Sequence, residues 1–257
     1  MDYEIESFKI SFNKLGLKKG DSIFLSTSLG MLGKAKNTKR FSTIADGLLD
    51  SLIDIIGPNG NIFVPTYSYS FGSKRKIFSV KNTKSKLGQF PNFFLKKKNI
   101  LRSIDPMISV AGMGKDVKNI LNKISHTSYG KNCVFERLLK LKNLKCCNVG
   151  LGNNWVPFMH YVDWLNKVPF RYDKYFEGTI IDKNNKKKKY VWHYPVREMS
   201  EKYRSNGYRI GMIAKKKKLF KRVNFCKSQI FLISYREFFN LLIKETKKNI
   251  YLTTYAK

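Results

Sequence analysis

Two short apolar runs and the segment between them constrain this chain most. Ser22-Ile23-Phe24-Leu25-Ser26 and Asn61-Ile62-Phe63-Val64 each read as a buried strand. From Ser42 to Ile56 the residues Ile44, Leu48, Leu49, Leu52, Ile53 and Ile56 recur at helical spacing, and Ser42 or Thr43 can cap the start. Gly57-Pro58-Asn59-Gly60 is a strong turn signal that ends the helix. Strand, helix, turn and strand over this length make a β-α-β unit, whose two strands lie parallel in one sheet.

The rest of the chain extends that unit. Residues 1–17 read as a short amphipathic helix. Phe71 to Leu87 is polar and Lys-rich and reads as a long loop, a form that is often functional. Gly88 to Leu95 reads as a turn into a short helix. The apolar segment Leu101 to Gly114 carries Arg102, Ser103 and Ser109. Helices are expected over Asp116–Ile124 and Val134–Lys140, then a strand over Cys146–Gly152. Phe170–Ile181 and Lys189–Tyr194 read as a hairpin, and Glu198–Gly207 as a helix. A second hairpin joins Arg209–Ala214 to Lys221–Asn224, and Ile233–Thr246 is a terminal helix. The fold class is α/β: a central mixed, largely parallel sheet flanked by helices, with an additional C-terminal lobe of hairpins and helices. The whole chain, residues 1–257, is read as a single domain.

Of the residues, 42% are hydrophobic and 14% aromatic, enough for a substantial core. No apolar run is long enough to cross a bilayer and the N-terminus lacks a signal-peptide pattern, so the expected compartment is cytoplasmic. Cys133, Cys146, Cys147 and Cys226 form no C-x-x-C, and with three scattered histidines they make no metal cluster. They read as reduced thiols, mostly core. The formal net charge of +32 points to anionic partners. Its carriers are mostly lysines in runs such as Lys96–Lys98, Lys186–Lys189 and Lys215–Lys218, where a solvated surface is the plainer reading.

The strongest chemical signal is His160, three residues before Asp163. Pro157 suits the first turn of a helix, and on a helix the two side chains share one face. An imidazole beside a carboxylate can serve as a general base or be a buried polar pair. His126 reads as surface and His193 as a strand residue.

The order of these segments resembles the aminoglycoside 3-N-acetyltransferase family, the antibiotic N-acetyltransferase fold. The matching pieces are Ser26-Thr27-Ser28-Leu29-Gly30, Gly57-x-x-Gly60, Pro65-Thr66-Tyr67, and Arg102-Ser103 with Pro106, Ser109 and Gly112. Next come Gly150-x-Gly152, His160-x-x-Asp163 and Phe170-Arg171-Tyr172. The resemblance covers nearly the whole chain. It implies an acetyl-CoA-dependent N-acetyltransferase with no metal, in which His160 takes the proton of the attacking amine. Asp163 stands where the family carries Glu, one methylene longer; it would orient His160 or bind a substrate cation. Thr66 would stabilise the oxyanion. Ser26, Thr27, Ser28, Leu29, Gly30, Arg102, Ser103, Ser109, Val110 and Gly112 would hold CoA, although Thr66, Ser103 and Ser109 also suit turn or strand capping. Tyr67, Trp155, Tyr161 and Glu198 are the candidate acceptor contacts.

Aminoglycosides are polycations, and a chain this basic repels them. The expected acceptor is therefore the amino group of an amino sugar, preferably a nucleotide-linked sugar of surface polysaccharide synthesis. An aminoglycoside is the alternative. A basic nucleic-acid-binding protein or an inactive scaffold is the alternative of another class, but no nucleic-acid module is present. The sequence admits a homodimer without requiring one.

Overall fold

The computed structural model describes residues 2–154 and 158–256. In chain order the elements are β1 (Asp2–Tyr3), α1 (Ser7–Lys14), β2 (Ser22–Thr27), β3 (Lys34–Ala35), α2 (Phe41–Ile56), β4 (Asn61–Pro65), β5 (Ile77–Ser79) and α3 (Gln89–Phe94). They continue with β6 (Leu101–Arg102), β7 (Val110–Gly114), α4 (Val117–Leu121), α5 (Val134–Leu138), β8 (Leu144–Val149), α6 (Met159–Leu165), β9 (Arg171–Ile181) and β10 (Lys187–Arg197). The last four are α7 (Gly207–Lys216), β11 (Phe220–Phe225), β12 (Ser228–Ser234) and α8 (Tyr235–Lys248).

Seven strands form the main sheet in the order β11-β12-β8-β2-β4-β7-β6. The β-α-β unit is present: β2 pairs in parallel with β4, and also with β8. Within this sheet parallel pairing stops there. The outer neighbours β12–β8, β11–β12, β4–β7 and β6–β7 are all antiparallel. A second sheet of three strands, β10-β9-β5, stands apart.

Alternation along the central strands divides the core into two layers. Ile23, Leu25, Ile62 and Val64 face α1 and α2, while Phe24 and Phe63 face the layer of α4, α5, α6 and α8. The adjacent cysteines follow the same rule: Cys147 enters the first layer and Cys146 the second. Both thiols are buried and pushed up in pKa by that burial, so neither is poised as a nucleophile.

α2 buries Leu48, Leu49, Leu52 and Ile56 as one stripe. Its cap is not Ser42 or Thr43. Arg40 takes the extended cap position, and no side chain caps the end. Gly57, at a φ of 64°, ends the helix where a side chain would be strained.

Four further expectations fail. The Phe71–Leu87 loop contains β5, which pairs with β9. Glu198–Gly207 holds only a single 3-10 turn, Glu201–Tyr203, and Gly207–Lys216 is helix α7 rather than a hairpin strand. Asn206 caps α7 through Tyr208 N. The hairpin after the lysine run is β11–β12, and Ile233 belongs to β12, so the last helix begins at Tyr235. None of the described helices is long and apolar enough to cross a membrane.

Candidate active site

The parallel strands β2, β4 and β8 end side by side, and a cleft of about 210 Å³ opens there. This is where ligands sit in open α/β sheets, because strand connections diverge and leave a crevice. Leu25, Val64, Pro65, Leu87, Phe90 and Pro91 form apolar walls, and Ser26, Thr27, Tyr67, Asn148 and Asn154 supply polar groups. Asn148 donates to the carbonyl of Asn154 at 3.0 Å. Among the described residues, Thr27 Oγ1 and Asn154 Oδ1 are buried without a hydrogen-bond partner. Two unsatisfied groups on one cleft are costly unless something else completes them. Gly150 lets the floor close: at its φ of 76° a Cβ would lie 2.3 Å from the Ser28 carbonyl.

Of the positions expected to hold CoA, Ser26 and Thr27 line this cleft and the others do not. Ser28 donates its N–H to Val149 O at 2.8 Å, Leu29 is buried in the α1–α2 layer, and Gly30 is exposed on the surface. Arg102, Ser103, Ser109, Val110 and Gly112 form an internal knot. Arg102 is buried, donates to Ser109 Oγ at 3.0 Å and to the carbonyl of Thr66 at 2.8 Å, and also bonds the Thr83 carbonyl. Burial draws its pKa down to about 10. Ser103 Oγ accepts from Val110 N at 3.0 Å, and Gly112 pairs with Phe63 in the sheet. Thr66 is fully buried and its hydroxyl bonds Ser109 O at 3.0 Å. Thr66 and the Arg102–Ser109 segment are buried and committed to bonds within the chain. Together they fasten β4 to β7 and to the loop after β5.

His160 and Asp163 share one face of α6, with His160 Nδ1 3.1 Å from Asp163 Oδ2. The shorter carboxylate therefore reaches the imidazole. Three residues from elsewhere complete the cluster. Arg171 at the start of β9 donates Nε to Asp163 Oδ2 at 2.9 Å and Nη1 to Pro195 O at 3.1 Å, and its Nη2 meets His160 Nδ1. Thr253, near the C-terminus, donates to Asp163 Oδ1 at 2.6 Å. Ser205 Oγ lies 3.3 Å from His160 Nε2. The sequence assigned no role to Arg171 and did not single out Thr253 or Ser205, which lie 90 and 45 residues from their partners in the pair.

Asp163 is wholly buried, whereas the His160 side chain keeps 18% of its surface. Burial alone would raise the Asp163 carboxyl, but the His160 bond, the Arg171 charge and the Thr253 hydroxyl hold it below the usual carboxylate range. Burial and then the Arg171 charge hold the imidazole below its ordinary pKa, and Asp163 opposes this without prevailing. A partly open, neutral imidazole on a fixed carboxylate can accept a proton near neutral pH.

His160 does not line the strand-end cleft itself. Tyrosines bridge the gap. Tyr67 lines the cleft, its ring meets Tyr69 edge-on at 6.3 Å, and Tyr69 meets Tyr194 at 6.5 Å. Tyr194 lies 5.6 Å from Tyr129, whose ring stands edge-on to His160 at 6.2 Å. Tyr161 is buried and stacked on Trp164 and Phe239 in the layer beneath α8. Glu198 is exposed beyond the end of β10, where its N–H bonds Phe170 O. Trp155 and Pro157 lie outside the described residues. His126 is exposed, and His193 sits in β10 between Thr127 and Asp173.

This fold and pairing define an α/β protein with a strand-end cleft and a partly open histidine–carboxylate pair. The sequence model of the aminoglycoside 3-N-acetyltransferase family matches residues 27–246, and the chain belongs to that family of N-acetyltransferases. Three solved structures each superpose with a TM-score of 0.80. Aminoglycoside acetyltransferase AAC(3)-Xa is 14% identical, with 96% of this chain and 93% of that chain covered. Sisomicin-bound AAC-VIa is 16% identical, with 96% and 99% covered. AAC-IIIb in a binary complex with CoASH is 15% identical, with 96% and 97% covered. At these identities the likeness is one of fold. No curated protein matches the sequence.

Proposed function

We propose that the chain transfers an acetyl group from acetyl-CoA to the amino group of a sugar, with His160 as general base. The observation that carries this is the partly open His160 held against buried Asp163 at 3.1 Å. Acetyl-CoA supplies the activated acyl group. The cleft suits its amide-bearing arm: a slot with apolar walls, where Thr27 Oγ1 and Asn154 Oδ1 lack partners among the described residues. A CoA-bound relative of the same fold supports this choice. His160 takes the proton that the amine loses on acylation, and Asp163 favours the imidazolium that results.

The acceptor is an uncharged or anionic amino sugar, with a nucleotide-linked sugar preferred. Around His160 the charged groups are Arg171, Arg197 and Asp163, and Asp163 is already committed to His160, Arg171 and Thr253. That leaves an excess of positive charge where a polycation would need carboxylates. The second reading is an aminoglycoside acceptor, favoured by the family and by the sisomicin-bound relative. Thiol release from acetyl-CoA, followed with a panel of amino sugars, nucleotide-linked amino sugars and aminoglycosides and confirmed by product mass, separates the two. Turnover of an aminoglycoside alone would reverse the preference.

A further inference from the structure

Arg171 meets both members of the His160–Asp163 pair, and two of the contacts at the imidazole compete. A guanidinium carries only donors, so Nη2 can bond His160 Nδ1 only while that nitrogen lacks a proton. Asp163 Oδ2 lies 3.1 Å from the same nitrogen, and as an ionised acceptor it needs the proton there. The two bonds exclude each other. When Arg171 bonds Nδ1, the ring proton sits on Nε2, facing Ser205 Oγ at 3.3 Å, and Nε2 has no lone pair to offer. When Asp163 bonds Nδ1–H, Nε2 is free to accept. Arg171 stays beside the pair in both forms, because its side chain is only 5% exposed and its Nε and Nη1 are tied to Asp163 Oδ2 and Pro195 O, so only the Nη2 bond is exchanged.

We propose that Arg171 is a positioning residue that sets the tautomer of His160, holding the ligand-free ring in its Nε2–H form until an amine bonding Nε2 transfers Nδ1 to Asp163. This rests on His160 as the base. The change moves one proton from Nε2 to Nδ1 by way of solvent and leaves the ring neutral in both forms. The other groups facing the ring are Arg197 from β10, whose charge also opposes the imidazolium, and the Tyr129 ring from the segment before α5. A fixed cation beside a base keeps it unprotonated between turnovers, and an acceptor that selects the active tautomer makes basicity depend on binding.

The test is ¹⁵N NMR of the three imidazoles from about pH 5 to pH 8. Wild type, Arg171→Lys and Arg171→Gln are compared, together with the pH profile of acyl transfer. The ligand-free wild type is expected to show His160 Nδ1 unprotonated and Nε2 protonated. In Arg171→Gln the proton moves to Nδ1, and both the titration and the acid limb of kcat/KM rise by about one pH unit. Arg171→Lys keeps the charge but loses the fork, so its titration stays near wild type while kcat falls and the KM for acetyl-CoA holds. A wild-type His160 protonated at Nδ1 would overturn the proposal, as would a folded Arg171→Gln with unchanged tautomer and titration. If Arg171→Gln does not fold, the wild-type tautomer decides. The NMR signal needs no turnover, so a protein without acyl transfer would fail the functional reading and still answer the question about Arg171.

Discussion

Thr253 donates its hydroxyl to Asp163 Oδ1 at 2.6 Å, across 90 residues of chain. It lies beyond residue 246, where the family match ends. The tail is held in place by Asn206 N, which donates to Thr253 O at 2.8 Å, and by a bridge between Ser205 and Thr254. The segments carrying the residue beside His160 Nε2 and the residue beneath Asp163 are thus strapped to each other. Thr253→Val is expected to leave a buried carboxylate oxygen unpaired, at a cost of about 2 kcal/mol. Denaturant melts should show that loss, and kinetics should show a lower kcat with an unchanged KM for acetyl-CoA.

Asp105 gives a pH prediction, because its carboxyl is shifted in the direction opposite to that of Asp163. Burial pushes its carboxyl up to about 6, although Met107 N, Ile108 N and Ser128 Oγ all donate to it. A carboxyl raised on folding binds more protons in the folded state, so its contribution is full at low pH and is lost as pH rises through about 6. Relative to Asp105→Asn, the wild type should lose on the order of 3 kcal/mol between about pH 4 and pH 6. Urea melts of the two proteins across that window measure the difference. A constant difference would contradict it.

Thr27 separates stability from ligand binding. Its hydroxyl is buried without a partner among the described residues, so Thr27→Val removes an unsatisfied group and should stabilise the free protein by about 1 kcal/mol. The same change removes a bond offered to the acyl donor. Calorimetry with CoA should show affinity lower by about threefold to tenfold.

What sequence could reveal follows from the range of each interaction. β2, α2 and β4 were legible because strand alternation, helical stripe and the Gly57–Gly60 turn are written in neighbouring residues. His160 and Asp163 were legible because i and i+3 meet on any helix. β5 was not, since its three residues owe their pairing to β9, about a hundred residues later. α7 was misread because Gly207 and Gly211 weaken a helical pattern. Gly211 is needed there, since a Cβ would come within 2.2 Å of the Asn153 carbonyl. β12 was missed because its apolar run passes into α8 with only Ser234 between, and that serine caps the helix. The same limit applies to the site. Arg102, Ser103, Ser109 and Thr66 carry the motif, and burial turns them inward. The contacts of Arg171, Ser205 and Thr253 with the pair are tertiary, and no local pattern announces them.

The central claim is that His160 removes the proton of the acceptor amine. It is tested most directly by His160→Ala, assayed for acetyl transfer to the best acceptor of the panel, with CoA binding followed by calorimetry on the same sample. Loss of transfer by at least about a hundredfold, with CoA affinity unchanged, is the predicted result. Transfer at the wild-type rate with CoA still bound would contradict it and leave the His160–Asp163–Arg171 cluster a structural pin.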